Sequence, residues 1–189
     1  MYNISMKELA KSVELEKELF YRPKAIEMYE QLVHNMLRDL KGGTIIDCSF
    51  EEIDGCDASF ADAFVIKLQR YVEDFNNVVL RLSNCNEFVL ENLRAALLLR
   101  NEMDKTKTNI LYYDETYKFL IKQEANLQTT FDYIQKHGET SARDLAEEFE
   151  LEINSASNRL KKLYDSNKVF RREIKDEKGR QHIYFIKLL

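Results

Sequence analysis

Short polar side chains and basic side chains are concentrated near the end of this 189-residue chain. The string NSASN, residues 154–158, carries hydroxyl and amide groups that are small enough to approach the edges of DNA bases. Lys and Arg outnumber Asp and Glu around this string, and their charges attract phosphate groups. These residue types predict contact with a polyanion. The alternatives are a solvated charged face and, for Asn154 and Ser155, the capping of a helix.

The residues that most often perform catalysis or bind metals show no such concentration. His34, His137 and His182 are far apart, and none has a carboxylate or thiol at the spacing of a metal site or catalytic triad. The sequence has no glycine-rich phosphate loop, and the acidic cluster in residues 51–57 lacks the ligand order of a calcium loop. We therefore expect a protein that is not an enzyme and that binds neither a cofactor nor a metal.

The cysteines and the hydropathy pattern indicate the cellular compartment of the chain. Cys48, Cys56 and Cys85 form no CxxC pair and lie beside hydrophobic runs, which favours reduced and partly buried thiols. No stretch approaches the ~18 uninterrupted apolar residues of a membrane span. The start of the chain is too charged for a signal peptide. These features predict a soluble, cytosolic protein without a membrane partner.

The formal net charge of −5 is divided unevenly along the chain. Residues 1–125 hold 16 Lys and Arg against 22 Asp and Glu, whereas residues 153–189 hold 10 against 4. The segment between them, residues 126–152, holds 2 basic and 7 acidic residues. The positive field is therefore confined to the last segment, which predicts a polyanionic partner for that segment alone.

Helical spacing of apolar residues marks three segments in the first two thirds of the sequence. A first helix is expected to start at Pro23 and to end at the glycine pair 42–43. A second helix pattern covers residues 60–75 and a third covers residues 87–100. The expected apolar face of the first helix consists of Ile26, Tyr29, Val33, Met36, Leu37 and Leu40.

Three short apolar runs, at 44–49, 78–82 and 109–113, predict strands between these helices. The runs barely alternate, which is typical of strands buried on both faces of a parallel sheet. Right-handed crossovers would then build a small α/β layer structure. We expect a weaker amphipathic segment, residues 6–20, to pack outside this layer. Residues 114–125 are expected to form a connector, whose conformation the pattern leaves open.

From Asn126 the pattern changes to short helices. Asn126 is placed to cap a helix that ends at Gly138, and a second helix is expected to open at Thr140. A third helix, about 154–167, would turn Ala156, Leu160 and Leu163 inward. Two runs of strand-forming residues then flank DEKG, which predicts a β-hairpin.

The string TSARDLAEEFELEINSASNRLKKLYDSNKVFRREIKDEKGRQHIYFI has helices and a hairpin in the order and spacing of a known family. It resembles the winged helix-turn-helix domains of prokaryotic transcription regulators, and the resemblance covers the last 64 residues. In that family the third helix enters the major groove of duplex DNA and the hairpin, or wing, touches the backbone. The resemblance implies that the third helix presents to bases or phosphates Ser155, Ser157, Asn158 and Lys161 or Lys162. It also implies that the side chains in or beside the wing are Arg171, Arg172, Lys175, Lys178 and Arg180.

The block IIDCSFEEIDGCDASFADAFVIKL joins a strand, a short acidic loop, a serine and a hydrophobic helix. With the preceding RPKAIEMYEQLVHNML, it resembles the STAS domain of anti-sigma-factor antagonists, and more closely the STAS-like relatives of undefined function. The resemblance covers roughly residues 20–113. The chain departs from the antagonists because they begin with strands where it has helices, and because Phe60 stands where they have glycine.

The serine of this block has a role in the antagonists that switch partners, where it is phosphorylated at the start of a helix. The matching residue here is Ser59. A helix N-terminus stabilises a phosphate, whereas Asp54, Asp57 and Asp62 in the same region would repel it. The alternative is that Asp57 or Ser59 simply caps the helix. The resemblance implies that this surface meets a protein partner.

Together these patterns predict an α/β STAS-like domain with a mostly parallel sheet over residues 1–113, a connector over 114–125, and an α+β winged helix over 126–189. We expect a regulator that binds duplex DNA through the second domain and a protein partner through the first. A homodimer is expected, since helix-turn-helix proteins usually read two half-sites, and the apolar residues of 88–99 are a candidate surface. The alternative is an adaptor that binds proteins instead of DNA in a signalling or defence complex, with partner switching at Ser59.

Overall fold

A computed structural model describes residues 1–176 and 179–187 of the chain. The chain forms two compact units, Met1–Lys122 and Gln123–Leu189, and the boundary between them lies inside the predicted connector. The first unit is an α/β structure with a mostly parallel sheet, and the second combines helices with an antiparallel sheet. None of the described helices has both the length and the apolar content that crossing a membrane requires.

The first unit is built on a five-stranded sheet. Its elements are β1 (Tyr2–Ser5), α1 (Met6–Lys11), β2 (Glu18–Leu19), α2 (Arg22–Asn35), β3 (Thr44–Ser49), β4 (Gly55–Cys56), α3 (Ala58–Ala61), a π-helical turn (Asp62–Ile66), α4 (Lys67–Glu73), β5 (Val78–Ser83), α5 (Glu87–Asp104), β6 (Leu111–Asp114) and β7 (Thr116–Phe119). The strand order is β1-β3-β5-β6-β7. The first four of these strands are parallel, and β7 runs antiparallel to β6.

The three predicted strands are present as β3, β5 and β6, and they lie side by side as expected. Two strands of this sheet were missed, as were β2 and β4, which pair with each other in a separate two-stranded sheet. β1 has four residues, and β7 lies within the predicted connector, where it forms a hairpin with β6. Both are short strands at the edges of the sheet, and pairing with a neighbour rather than local hydropathy defines them. The segment predicted as amphipathic, residues 6–20, contains the short helix α1 and the strand β2.

The helix α2 buries a different face from the one predicted. Ala25, Met28 and Leu32 are buried, whereas Ile26 is 37% and Met36 40% exposed. The helix also ends at Asn35, so that Leu37 and Leu40 enter the core from the turns that follow it. The prediction was wrong because apolar residues occupy two adjacent stripes of this helix, and spacing alone does not decide which stripe meets the sheet.

The second predicted helix is present, but it contains an irregular turn. α3 and α4 continue each other through the π-helical turn Asp62–Ile66. Phe60, Phe64 and Leu68 are completely buried along one side of it, as the spacing predicts. A π-helical turn is rare, and such turns are often found at functional sites.

The second unit contains three helices and a three-stranded sheet. Its elements are α6 (Ala125–His137), β8 (Glu139–Ser141), α7 (Ala142–Glu148), α8 (Ile153–Asp165), β9 (Phe170–Asp176) and β10 (Gly179–Phe185). The strand order is β8-β10-β9, with both pairings antiparallel. The predicted hairpin is therefore present as β9 and β10, and Ala156, Leu160 and Leu163 of α8 are buried as predicted.

Two predicted helix starts are corrected. Glu124, not Asn126, occupies the N-cap position of α6. Ser141, not Thr140, caps α7, through a capping box in which Ser141 and Asp144 bond each other's backbone N–H groups. The predicted end of α6 at Gly138 is confirmed, and a φ of 81° at this position suits glycine.

Candidate nucleic-acid interface and partner surface

The helix α8 has one buried side and one polar side. Its apolar side chains Ala156, Leu160 and Leu163 are fully buried, which fixes the rotation of the helix in its unit. The predicted contact residues Ser155, Asn158, Lys161 and Lys162 are all exposed, as is Asn154, and Ser157 is half-buried. The outer side of α8 can therefore offer hydroxyl, amide and ammonium groups to a ligand without any repacking of the core.

The start of α8 decides between two interpretations of its first residues. Glu152 holds the N-cap position, and its side chain makes no capping hydrogen bond. Asn154 and Ser155 lie inside the helix, so the alternative that they cap it is wrong. Their side chains extend from the first turn, close to the exposed Ile153.

The register of the hairpin divides its basic residues between two faces. Arg171 pairs with Tyr184 across the hairpin. The Tyr184 ring packs edge-on against the Tyr164 ring of α8, and the Arg171 guanidinium lies 4.0 Å from the centre of that Tyr164 ring. Side chains alternate along a strand, so Lys175 and Arg180, which are also paired, share this face. Arg172 lies on the opposite face, over the ring of Phe185.

A small cavity confirms that Arg180 is on the α8 side. The cavity has a volume of about 200 Å³, and Ser157 of α8 and Arg180 and His182 of β10 line it. The outer side of α8 and one face of the hairpin therefore border the same depression. Lys178, the remaining predicted residue of the hairpin, lies outside the described residues.

Several of these basic side chains have acidic neighbours at the surface. Lys161 pairs with Asp165 on the same helix. Arg180 Nε lies 2.9 Å from Glu173 Oε1, and Arg172 Nη2 lies 2.7 Å from Glu139 Oε2. All of these side chains are between 45% and 75% exposed. Exposed pairs contribute only ~0–1 kcal/mol each, so a phosphate can replace the carboxylate at small cost.

In the first unit, Asp57 rather than Ser59 caps the helix. The Asp57 carboxylate accepts hydrogen bonds from the Phe60 N–H at 2.6 Å and from the Ser59 hydroxyl at 2.8 Å. Burial disfavours the ionised carboxylate, but these hydrogen bonds outweigh it and hold the pKa of Asp57 below its usual value. Ser59 is half-buried in the first turn and is free of the capping role.

The acidic surroundings expected for Ser59 are partly neutralised. Asp62 accepts hydrogen bonds from Arg22 at 2.8 Å and from Arg100 Nε at 2.7 Å. Burial disfavours the charge of Asp62, but both arginines hold the pKa of this carboxyl below its usual value. A cavity of about 270 Å³ is lined by Ser59, Arg22 and Arg100. Two arginines therefore line the same cavity as the serine, which the sequence pattern did not predict.

The helix α5 buries some of the apolar residues proposed as a dimer surface and exposes the others. Val89, Leu90, Leu93 and Leu97 belong to the core. Phe88, Leu98 and Leu99 are more than half exposed, and Met103 joins them at 64%. The ring of Phe88 also covers Gly55, where an added Cβ would lie 3.1 Å from the ring. Gly55 is consequently buried rather than at an exposed loop tip.

The histidines and cysteines occupy separate structural positions. His137 stacks on Tyr133 at the end of α6, and its Nδ1 lies 2.9 Å from the Tyr133 carbonyl oxygen. The three cysteines are free, and burial raises the pKa of each, in the case of Cys85 to about 12. Across residues 1–176 and 179–187, no three His, Cys, Asp or Glu side chains are grouped closely enough to hold a metal ion.

A buried ion pair that the sequence patterns did not predict links β3 and β5. Arg81 in β5 donates two hydrogen bonds to Asp47 in β3, at 2.9 and 3.0 Å, and a third to the Tyr117 hydroxyl at 3.2 Å. Burial disfavours the guanidinium charge, but the bonds to Asp47 raise the pKa of Arg81 above its usual value. The sequence does contain a signal for this pair. β3 and β5 each have one charged residue, at the fourth position, and the two strands pair in register, which places Asp47 opposite Arg81.

The comparisons with known proteins add no relative to these observations. No protein-family model, no curated protein and no solved structure matches the chain.

Proposed function

We propose that this chain is a cytosolic prokaryotic regulator without catalytic activity, in which the second unit is a winged helix that binds duplex DNA. The observation that carries the proposal is the polar outer side of α8, whose contact residues are exposed while its opposite side anchors the core. The hairpin face that borders the same depression adds Lys175 and Arg180.

The proposed contacts follow from the chemistry of these side chains. In the major groove, an asparagine amide can donate a hydrogen bond to adenine N7 and accept one from the adenine N6 amino group. Asn158 is therefore the best candidate for reading a base. Lys161 and Lys162, one turn of helix further on, would meet phosphates. Arg180 and Lys175 would meet the backbone beside the groove, and phosphate contacts of this kind dominate affinity.

The first unit is proposed to be a STAS-like domain that meets a protein partner around Ser59. Arg22 and Arg100 line the same cavity as Ser59, so a phosphate on its hydroxyl could exchange hydrogen bonds with these guanidinium groups. Phosphorylation would also compete with Asp62 for these arginines and would change the charge that the surface offers. The exposed apolar residues of α5 suit a second copy of the chain, since a dimer would present two copies of α8 to two half-sites.

Selection of bound sequences from random duplex DNA tests the proposal directly. We expect enrichment of a motif, and tighter binding of that motif than of heparin at equal charge concentration. The double variant Lys161→Gln/Lys162→Gln should weaken binding of the motif at least tenfold, by the loss of two charged contacts. The matched control Lys17→Gln/Lys41→Gln removes the same charge from exposed positions of the first unit and should bind like the wild type.

An adaptor that binds proteins instead of DNA is the second candidate. The exposed apolar residues of α5 and the ion pairs that occupy Arg172 and Arg180 favour it. It predicts no enriched motif and equal binding of heparin and DNA. Either result in the selection experiment would contradict the DNA-binding proposal and support the adaptor.

A further inference from the structure

A second cavity in the first unit has a strongly basic lining. It has a volume of about 260 Å³ and shares Arg22, Asp62 and Arg100 with the cavity that Ser59 lines. Its charged lining consists of Arg22, Asp62, Lys67, Arg70 and Arg100. Four of these five side chains are cationic, in a part of the chain where acidic residues outnumber basic ones.

The π-helical turn brings three of these side chains to one side of the helix. In a regular α-helix, residues five apart point in directions about 140° apart. Hydrogen bonds in a π-helix join residues five apart, so Asp62 and Lys67 face the same way across the turn Asp62–Ile66. Arg70 follows Lys67 by three residues in α4 and therefore lies on the same side. The irregular turn thus assembles the cavity lining.

The carboxylates near the cavity compensate only part of its charge. Among the described residues, Asp62 pairs with Arg22 and Arg100, and Asp104 pairs with Arg70 and Arg100. The ammonium group of Lys67 lies 4.1 Å from the centre of the Tyr29 ring, and Lys67 is exposed. Four cations against two carboxylates leave two positive charges, which match the dianion of a phosphate group.

We propose that this cavity binds the phosphate group of a soluble phosphomonoester. Lys67 and Arg70 contact the phosphate directly, and Arg22 contacts it from the start of α2. Asp62 holds Arg22 and Arg100 in place through its hydrogen bonds. Guanidinium groups suit this role because their planar N–H donors match the geometry of phosphate oxygens. The volume accommodates one phosphate group and leaves the rest of the ligand in the open mouth of the cavity.

Calorimetric titration of the full chain at constant ionic strength tests this proposal. Inorganic phosphate and glycerol 3-phosphate are the soluble probes, and phosphatidate in phosphatidylcholine vesicles is the lipid probe. We expect both soluble probes to bind saturably with one site per chain. The variant Lys67→Gln/Arg70→Gln should weaken both by about tenfold or more, because it removes two charged hydrogen-bond donors. Asp62 keeps its contacts with Arg22 of α2 and Arg100 of α5 in this variant, so these helices stay linked to the π-helical turn.

Two controls separate this site from others. Lys17→Gln/Lys41→Gln removes two charges elsewhere in the first unit, and Lys161→Gln/Lys162→Gln removes two from α8; both should keep the wild-type affinity for phosphate within twofold. Arg22→Gln is a second test variant in case Lys67→Gln/Arg70→Gln melts at a lower temperature than the wild type. An absence of saturable binding, equal weakening in a control, or binding of phosphatidate vesicles alone would overturn the proposal.

Discussion

The two units differ in how they hold their charged side chains. In the first unit, Asp47 of β3 holds Arg81 of β5 in an ion pair that is almost completely buried. In the second unit, pairs such as Lys161–Asp165 join neighbours on one helix at the surface. A buried pair must stay closed, since opening it leaves a charge without solvent, whereas an exposed pair can exchange its partner at small cost. The comparison indicates that buried charges maintain the fold and exposed ones are available to ligands.

Breaking the buried pair should have the largest effect. Asp47→Asn leaves Arg81, which is 2% exposed, without its counter-charge. We expect the free energy of unfolding to fall by about 3–5 kcal/mol, as for other broken buried pairs. Denaturant unfolding followed by circular dichroism measures this change.

A surface pair in the same sheet provides the matched control. Lys118 and Asp114 pair at 2.6 Å, with side chains 45% and 64% exposed. Asp114→Asn should cost only ~0–1 kcal/mol. The double variant Asp47→Leu/Arg81→Met should recover much of the loss, because it leaves no buried charge. Equal costs for the two aspartate variants would contradict the distinction between the two kinds of pair.

The next effect concerns a surface residue of the second unit. Asn158→Ala should leave the melting temperature nearly unchanged, since Asn158 is exposed. It should relax base preference at one position by about 1–3 kcal/mol, the discrimination of a bidentate contact. Sequence selection with the variant measures this, and Asn126→Ala on the exposed side of α6 is the control. An unchanged preference would remove Asn158 from the residues that read bases.

Capping in the first unit gives a smaller effect that depends on pH. Asp57→Ala should lower the free energy of unfolding by about 0.5–2 kcal/mol at neutral pH, and Ser59→Ala by less, since Asp57 is the cap. The folded pKa of Asp57 lies below its unfolded value, so its contribution is present at neutral pH and is lost as the pH falls through the folded value. The difference between wild type and Asp57→Ala should therefore shrink in acid. A larger cost for Ser59→Ala would show that the serine stabilises the helix in another way.

Ser59→Asp tests the partner surface apart from this capping. The new charge would meet Arg22 and Arg100, which line the same cavity as Ser59. We expect partner capture in a pull-down to change while the melting temperature stays nearly the same. A loss of melting temperature with Ser59→Ala, together with unchanged capture by Ser59→Asp, would end the switch hypothesis.

Much of the secondary structure followed from local patterns. The strands β3, β5 and β6 and the buried side of α8 were predicted, because continuous apolar runs and a single apolar stripe have one way to be buried. The face of α2 was not, because two stripes compete there. β1 and β7 were missed because four residues at a sheet edge carry too little hydropathy signal.

The candidate sites show the same limit. The exposed residues of α8 lie within one segment, so their spacing was enough to predict that they share a side. The cluster around Asp62 joins Arg22 and Arg100, which belong to two helices that are far apart in the sequence. The contacts depend on tertiary packing and on the π-helical turn, neither of which has a signature in local spacing.

The smallest effect separates the two faces of the hairpin. Arg180 borders the depression beside α8, whereas Arg172 lies on the opposite face with Glu139. If the hairpin contacts DNA on the α8 side, Arg180→Gln should flatten the slope of log affinity against log salt by about 0.9, the change for one lost phosphate contact. Arg172→Gln removes the same charge from the same hairpin and should leave the slope unchanged. Both slopes come from titrations of one labelled duplex over a series of salt concentrations. Equal flattening by the two variants would mean that DNA responds to the overall charge of the hairpin rather than to the face beside α8.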